Sequence, residues 1–491
     1  MSHPPRTADD LAQTGHVLVR EKKWDEAISL FRRAVERDPG HGVAYGAMGY
    51  CLEQLGQADE AIAAYRAGGR LQPDNAEIVF NLGNVLRSQG KLDDARAAYQ
   101  RTLTIDRAHV RALNNLGTVY QMQGEPDEAI QVYLRALAIK PDYAEARNNL
   151  GSAHIAKNEI PEALTAYRES LAMDATLERT HFNQGIARLL AGDLPKGWEG
   201  YEHRPEPAGR PRTKADVWHG GQPLKGQSIL LTCEQGLGDT LQFVRYAPLL
   251  VRCGATVHLQ VQPAVRRLLA MMPGIASVTA VGESAPAHSL QCSLLSLPHA
   301  FKTSLDTIPA EVPYLRPPPD APSLPADRPG QTGPRIGVVW AGNPSHKHDR
   351  WRSIPLPLLA AALQGCQARF YSLQKDLTGS DAATLALHPQ FADCSTLIDD
   401  FADTAGLLAQ LDLVITVDSA VAHLAGALGR PVWILLPFSP DWRWMLGRDN
   451  SPWYPTAQLF RQPAPGDWQS VLAKVHGAIA AGKASPPNPA S

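Results

Sequence analysis

The chain has 491 residues, of which 44% are hydrophobic and 20% charged, and its formal net charge is −2. That length predicts about three folded domains. The balanced charge excludes the basic excess of a nucleic-acid binder, and the lack of any run of about 18 apolar residues excludes a transmembrane segment. The N-terminus (Met1-Ser-His-Pro-Pro-Arg) is polar and has no apolar core of a signal peptide. Six cysteines (Cys51, Cys233, Cys253, Cys292, Cys366, Cys394) are scattered, with no Cys-x-x-Cys pair. They predict neither a zinc site nor a disulfide framework, but free thiols in a reducing cytoplasmic setting.

The first part of the chain repeats. Ala27, Ala61, Ala95, Ala129 and Ala163 stand 34 residues apart, as do Gly15, Gly49, Gly83, Gly117, Gly151 and Gly185. Pro39, Pro73 and Pro141 keep the step, and Asp25, Asp59, Asp93 and Asp127 each open an Asp-Glu-Ala or a near variant. This pattern resembles the tetratricopeptide repeat and predicts an α-solenoid over 8–203, with neighbouring helix pairs sharing one core. The last unit fades into Leu194-Pro-Lys-Gly-Trp198-Glu-Gly-Tyr201.

Asn81, Asn115, Asn149 and Asn183 form a further column, two residues before successive repeat glycines. In the repeat family this helix lines the concave face. An amide ladder there suits an extended peptide backbone, which offers donors and acceptors in turn. The competing reading is that the asparagines cap or bridge adjacent helices.

A linker is expected at 204–227. Strands then alternate with helices, which predicts parallel sheets and an α/β fold with two Rossmann-like lobes. The first lobe spans 228–316. It opens on the strand Ser228–Thr232, followed by the loop Glu234-Gln-Gly236-Leu-Gly238-Asp239 and a helix from about Thr240 to Arg252. The loop is not a dinucleotide fingerprint, because Leu241 stands where the third glycine belongs. Gly236 and Gly238 permit close approach of backbone to ligand, and Asp239 reads as a catalytic carboxylate or a helix cap, two roles that do not exclude each other.

A proline-rich connector occupies 317–334, and the second lobe spans 335–484. After its first strand come His346, Lys347, His348, Arg350 and Arg352, cations in a loop on the ligand side of a parallel sheet. The stretch Leu413–Leu436 reads as strand, turn, helix, strand. Asp418 ends the first strand, Ser419 and Ala420 open the helix, and His423 lies one turn in. A helix start above a strand end suits a diphosphate. The aromatic runs Pro440–Trp444 and Ser451–Pro455 read as packing or as a stacking surface. A tail at 485–491 is expected to be disordered.

Gly-Asp after the first strand, a basic residue before Ile-Pro, and Asp418-Ser-Ala-x-x-His423-Leu-Ala-Gly-Ala-Leu-Gly-x-Pro together resemble the heptosyltransferase-type GT-B glycosyltransferases. The resemblance implies that Asp239 is the base and that Lys347 or Arg352 binds donor phosphate. It also implies that Asp418, Ser419, Ala420 and His423 hold the nucleotide sugar. Ser and Ala stand where the family has Thr and Gly. The layout is similar to repeat-bearing protein O-glycosyltransferases, including those that modify flagellin. Asp-x-Asp occurs nowhere, so a metal-free inverting transfer is expected, with no cofactor beyond the nucleotide-sugar co-substrate. The expected acceptor is a protein recruited by the repeats. The alternatives are a lipopolysaccharide or other saccharide acceptor, and a non-catalytic repeat scaffold with a degenerate GT-B half.

Overall fold

The computed structural model describes residues 7–205, 215–327, 332–345 and 349–484. The expected tail and parts of both expected linkers lie outside these. The described chain divides into two compact units, Met1–Thr180 and His181–Ser491.

The first unit is a stack of helix pairs, from Ala8–Arg20 with Trp24–Arg37 to Ala144–Ala156 with Ile160–Met173. The glycine column has a steric cause. Each glycine lies under the aromatic ring sixteen residues later in its own pair. A Cβ at Gly83 would sit 2.7 Å from Tyr99, at Gly117 2.5 Å from Tyr133, and at Gly151 2.6 Å from Tyr167. Those tyrosines are fully buried. Their hydroxyls reach back to Asn84 (2.8 Å), Thr118 (3.3 Å) and Ser152 (3.2 Å), so each ring is fixed at both ends. Between repeats, Arg32–Glu60 and Arg66–Asp94 pair across the surface, each too exposed to add much.

The helix Glu178–Leu190 carries the division between units, and the helix Leu194–Tyr201 packs wholly within the second. The solenoid boundary expected at 203 therefore falls inside the second unit. Within that unit the two helices touch backbone to backbone: a Cβ at Gly185 would lie 2.7 Å from the Gly200 carbonyl carbon. Trp198 is buried against Phe243, Trp442 and Trp453, and its indole N–H donates to the Thr303 carbonyl at 3.0 Å.

Two parallel sheets follow. The first contains β1 (Asp216–Val217), β2 (Ser228–Thr232), β3 (Thr256–Val261), β4 (Ile275–Ala280) and β5 (Leu290–Ser293), in the order β1-β5-β2-β3-β4. The second contains β6 (Arg335–Val339), β7 (Arg369–Ser372), β8 (Phe391–Asp393), β9 (Leu413–Val417), β10 (Val432–Leu436) and β11 (Ala457–Arg461), in the order β11-β10-β9-β6-β7-β8. This is the doubly wound order, in which the chain reverses direction beside the first strand. β9 and β10 are buried along their whole length, as strands covered on both faces must be.

The helix expected over about Thr240–Arg252 begins earlier, at Leu237, and runs to Phe243. A 3-10 turn, Val244–Tyr246, intervenes before it resumes at Ala247. Pro248 has no N–H to give the preceding turn, which accounts for the break. All six cysteines are free thiols. Among the described residues, no helix is long and apolar enough to cross a membrane.

Candidate functional site

In each lobe the strand order reverses at one place: between β2 and β5 in the first sheet, and between β6 and β9 in the second. Loops at the carboxyl ends of such strands border the crevice in which open α/β sheets bind ligands. The loop after β2 carries Gly236, Gly238 and Asp239. The loops after β6 and β9 carry Arg352 and Asp418–Ala420. Gly238, Asp239, Arg352 and Asp418–Ala420 thus follow strands that border the topological switch points.

In the first lobe, Gly236 caps the helix Leu237–Phe243 and Asp239 is its third residue. One carboxylate oxygen of Asp239 accepts the Gly236 N–H at 2.7 Å, so the capping role is present. The other oxygen accepts from Arg443, which comes from the second lobe. Both roles are therefore open to one side chain.

In the second lobe, Asp349 organises the loop after β6. It accepts from Arg352 Nε at 3.1 Å and from the Ser353 hydroxyl at 3.0 Å, while Ser353 accepts the Gly342 N–H at 3.1 Å. Arg352 is held inward, within electrostatic reach of Asp418 and His423. Arg350 is exposed and lies over the ring of Trp351, 4.4 Å from its centre. Lys347, with His346 and His348, lies outside the described residues.

After β9, Ser419 occupies the N-cap position of the helix Ala420–Ala427 without capping it. Its hydroxyl instead pairs with Thr416 at 3.0 Å, which keeps a side-chain oxygen off the first-turn amides. His423 is buried, stacked on Trp444 at 5.2 Å, and its Nδ1 pairs with the Tyr454 hydroxyl at 2.9 Å. Burial, then the positive field of Arg443, Arg245 and Arg352, holds its pKa well below the usual value, so the imidazole is neutral. Burial, then repulsion from Asp441, pushes the Asp418 carboxyl up to about 6.

The lobes meet at these residues. A Cβ on Gly238 would stand 2.8 Å from His423 Cδ2 and 3.6 Å from the Ala420 Cα, so only glycine admits this contact. Arg443 crosses the same seam. It donates to Gln242 Oε1 at 2.8 Å and to Asp441 at 2.8 Å, besides its bond to Asp239. Burial drives the Asp239 carboxyl above its ordinary range against the opposing pull of Arg443. A carboxylate so raised and a neutral imidazole line one seam, with the Arg352 guanidinium in electrostatic reach of that imidazole. They can accept a proton, hold a hydroxyl and neutralise a leaving anion.

Arg443, Asp441, Gln242 and Tyr454 escape sequence reasoning. For all but Gln242 the only signal is a place in the two aromatic runs, whose Trp442, Trp444, Trp453 and Tyr454 are all buried. In the repeats, Asn115 donates to Asn84 at 2.8 Å and Asn149 to Asn114 at 2.9 Å, and each accepts from its preceding asparagine. Asn115 and Asn149 thus bridge adjacent helices, and Asn115 also bonds to Tyr99. Asn81 is half-buried on the helix Ala76–Ser88. Asn183 belongs to the second unit.

The class defined by this architecture is a helical-repeat solenoid joined to two doubly wound lobes of GT-B-like plan. Tetratricopeptide-repeat models match residues 18–82, 74–142 and 109–176. The model of glycosyltransferase family 9 (heptosyltransferase) matches 360–440, the part that holds Asp418, Ser419, Ala420 and His423. The chain therefore carries tetratricopeptide repeats fused to a heptosyltransferase-like domain. It is 26% identical over 311 residues to Protein FlbA of Caulobacter vibrioides, covering 58% of this chain and 52% of that protein. The chain thus spans about half the length of that relative. Among solved structures, MamA is 24% identical over 34% of this chain and 92% of its own, with a TM-score of 0.33. YrrB, described as a tetratricopeptide-repeat protein with an unusual peptide-binding site, is 20% identical over 35% and 89%, with a TM-score of 0.31.

Proposed function

We propose that this protein is a GT-B glycosyltransferase. It moves a sugar from a nucleotide-sugar donor in the second lobe to a protein acceptor recruited by the repeats, working in the cytoplasm. The observation that carries the reading is the seam at which Gly238 of one switch point meets His423 and Ala420 of the other, while the adjacent Asp239 accepts from Arg443 of the second lobe.

In this reading Asp239 takes the proton of an acceptor hydroxyl. The freed oxygen attacks the anomeric carbon, and the bond from that carbon to the diphosphate oxygen breaks in the same displacement, inverting the centre. The diphosphate leaves with the electron pair. Arg352 and the uncapped helix start at Ser419–Ala420 take up its charge, and Arg350 and Lys347 belong to the same basic stretch of sequence. Asp418 and neutral His423 hold donor hydroxyls. The chemistry needs no metal, in keeping with a sequence that lacks Asp-x-Asp. The repeats supply affinity remote from the reacting centre, with the asparagine column at Asn81, Asn115 and Asn149 as the candidate contact for a peptide backbone.

A second reading keeps the chemistry and changes the acceptor. The matched family is named for heptosyl transfer, which favours a saccharide.

The test is thermal stabilisation of the full chain by a panel of nucleotides and nucleotide sugars, followed by transfer assays with the one that binds. One nucleotide is expected to stabilise the protein. Asp239→Asn should keep that stabilisation and lose transfer. Failure of every nucleotide to bind overturns the assignment. Transfer to a free saccharide but to no protein selects the second acceptor.

A further inference from the structure

We propose that Arg443, in the second lobe, is the positioning residue for Asp239 in the first. Asp239 then gains its working orientation only when the two lobes are together. The inference rests on the reading of Asp239 as the base.

Arg443 is buried, and each of its side-chain nitrogens has a partner. Nε donates to Gln242 Oε1 at 2.8 Å, Nη1 to Asp441 Oδ1 at 2.8 Å, and Nη2 to Asp239. Two of these partners, Asp239 and Gln242, lie one turn apart on the helix Leu237–Phe243. Asp441 fixes the guanidinium from its own side, and also accepts the Arg443 backbone N–H at 3.0 Å. The Trp442 ring lies 4.3 Å from the guanidinium carbon and closes the remaining face. A planar fork held at so many points has one orientation. It therefore dictates where the Asp239 oxygen points, while the Gly236 N–H holds the other oxygen.

The geometry of Gln242 supports the same device. Its carbonyl oxygen is committed to Arg443, and its amide nitrogen, completely buried, has no hydrogen-bond partner among the described residues. An unpartnered buried amide is tolerated only where another bond compels it. Here that bond is the one that aims Arg443.

Arg443 is not the only charge near Asp239. Asp441 faces it from the turn that carries Arg443, and Tyr201 from the helix Leu194–Tyr201. His423 lies across Gly238, and Asp418 shares the field of Asp441 and Arg443. Two substitutions around the clamp therefore act with opposite sign. Arg443→Gln removes the cation that favours the ionised carboxyl, so Asp239 titrates at higher pH. Asp441→Asn removes a carboxylate that disfavours ionisation, so Asp239 titrates at lower pH.

The experiment uses the full chain, labelled with 13C at aspartate carboxyls, with the Asp239 signal assigned by its loss in Asp239→Asn. Carboxyl titration is read beside the pH profile of kcat/KM. Arg443→Gln should move the Asp239 midpoint and the acid limb up by about one unit, and Asp441→Asn should move both down. Transfer should fall about 100-fold in Arg443→Gln while nucleotide stabilisation persists. Arg267→Gln is the control. It cuts a separate inter-lobe ion pair, Arg267 with Asp400 and Asp403, and should leave the limb in place. An unmoved Asp239 titration in both Arg443→Gln and Asp441→Asn overturns the clamp, and Asp441→Asn decides alone if Arg443→Gln does not fold. Full transfer by Asp239→Asn overturns the role of base instead, and the carboxyl titration still reports on the clamp.

Discussion

The two units reach order by opposite routes. In the first, the contact that fixes each element lies within one repeat: a glycine and the aromatic residue sixteen positions on, copied every 34 residues. In the second, the defining contacts join residues that no period relates, such as Arg443 to Asp239 across 204 positions and Trp198 to Thr303 across 105. Damage in the first unit should stay graded and local, while damage in the second should be severe and shared.

Truncation should break this contrast most visibly. Removing residues 1–200 takes away Trp198 and most of its helix, and the second unit should lose cooperative unfolding altogether. Removing 1–176 should leave that unit folded by circular dichroism and calorimetry. Trp198→Ala alone should cost about 3–5 kcal/mol of the second unit's stability, read from its denaturant midpoint. Next in size is Asp418. Its folded pKa of about 6 lies above the ordinary 3.8, so the folded state binds the extra proton. Stability contributed by that proton is present below about pH 4 and is lost as pH rises through 6. Asp418→Asn should therefore raise the midpoint temperature at pH 7.5 and flatten the pH 4–6 slope, an effect of about 1–3 kcal/mol. Gly117→Ala should cost about 1–3 kcal/mol in the first unit by crowding Tyr133, without changing the melting of the second. Smallest is Arg111→Ala. It removes an exposed pair with Glu77 and should shift the first unit by less than about 1 kcal/mol.

The same contrast explains which features are legible in the amino-acid sequence. The repeats are legible because their cause is periodic: Gly15 through Gly151 mark the helix crossings directly. The doubly wound lobes are legible from apolar runs such as Leu413–Val417, whose burial on both faces leaves no alternation. Asp239, Arg352 and the Asp418–His423 turn can be found because a ligand-side loop follows a strand in the chain itself. Arg443 cannot. Its meaning comes from a partner two hundred residues away, and within Pro440–Trp444 it reads as one charge among packing aromatics. The helix pair 178–201 keeps the glycine and aromatic register of the repeats and is legible for that reason, but its packing of Trp198 against Phe243 and Trp442 is not, because those partners lie far along the chain.

Gly185 and Gly200 carry a consequence for how the protein can vary. Elsewhere in the repeat register, a glycine faces a side-chain ring, which can shift by giving up its hydroxyl anchor; here each meets main chain, which cannot. In a library of all single substitutions, the repeat glycines should tolerate small residues in proportion to the freedom of their rings. These two positions should tolerate none, so sequence drift that stays graded along the repeats is arrested at this helix pair.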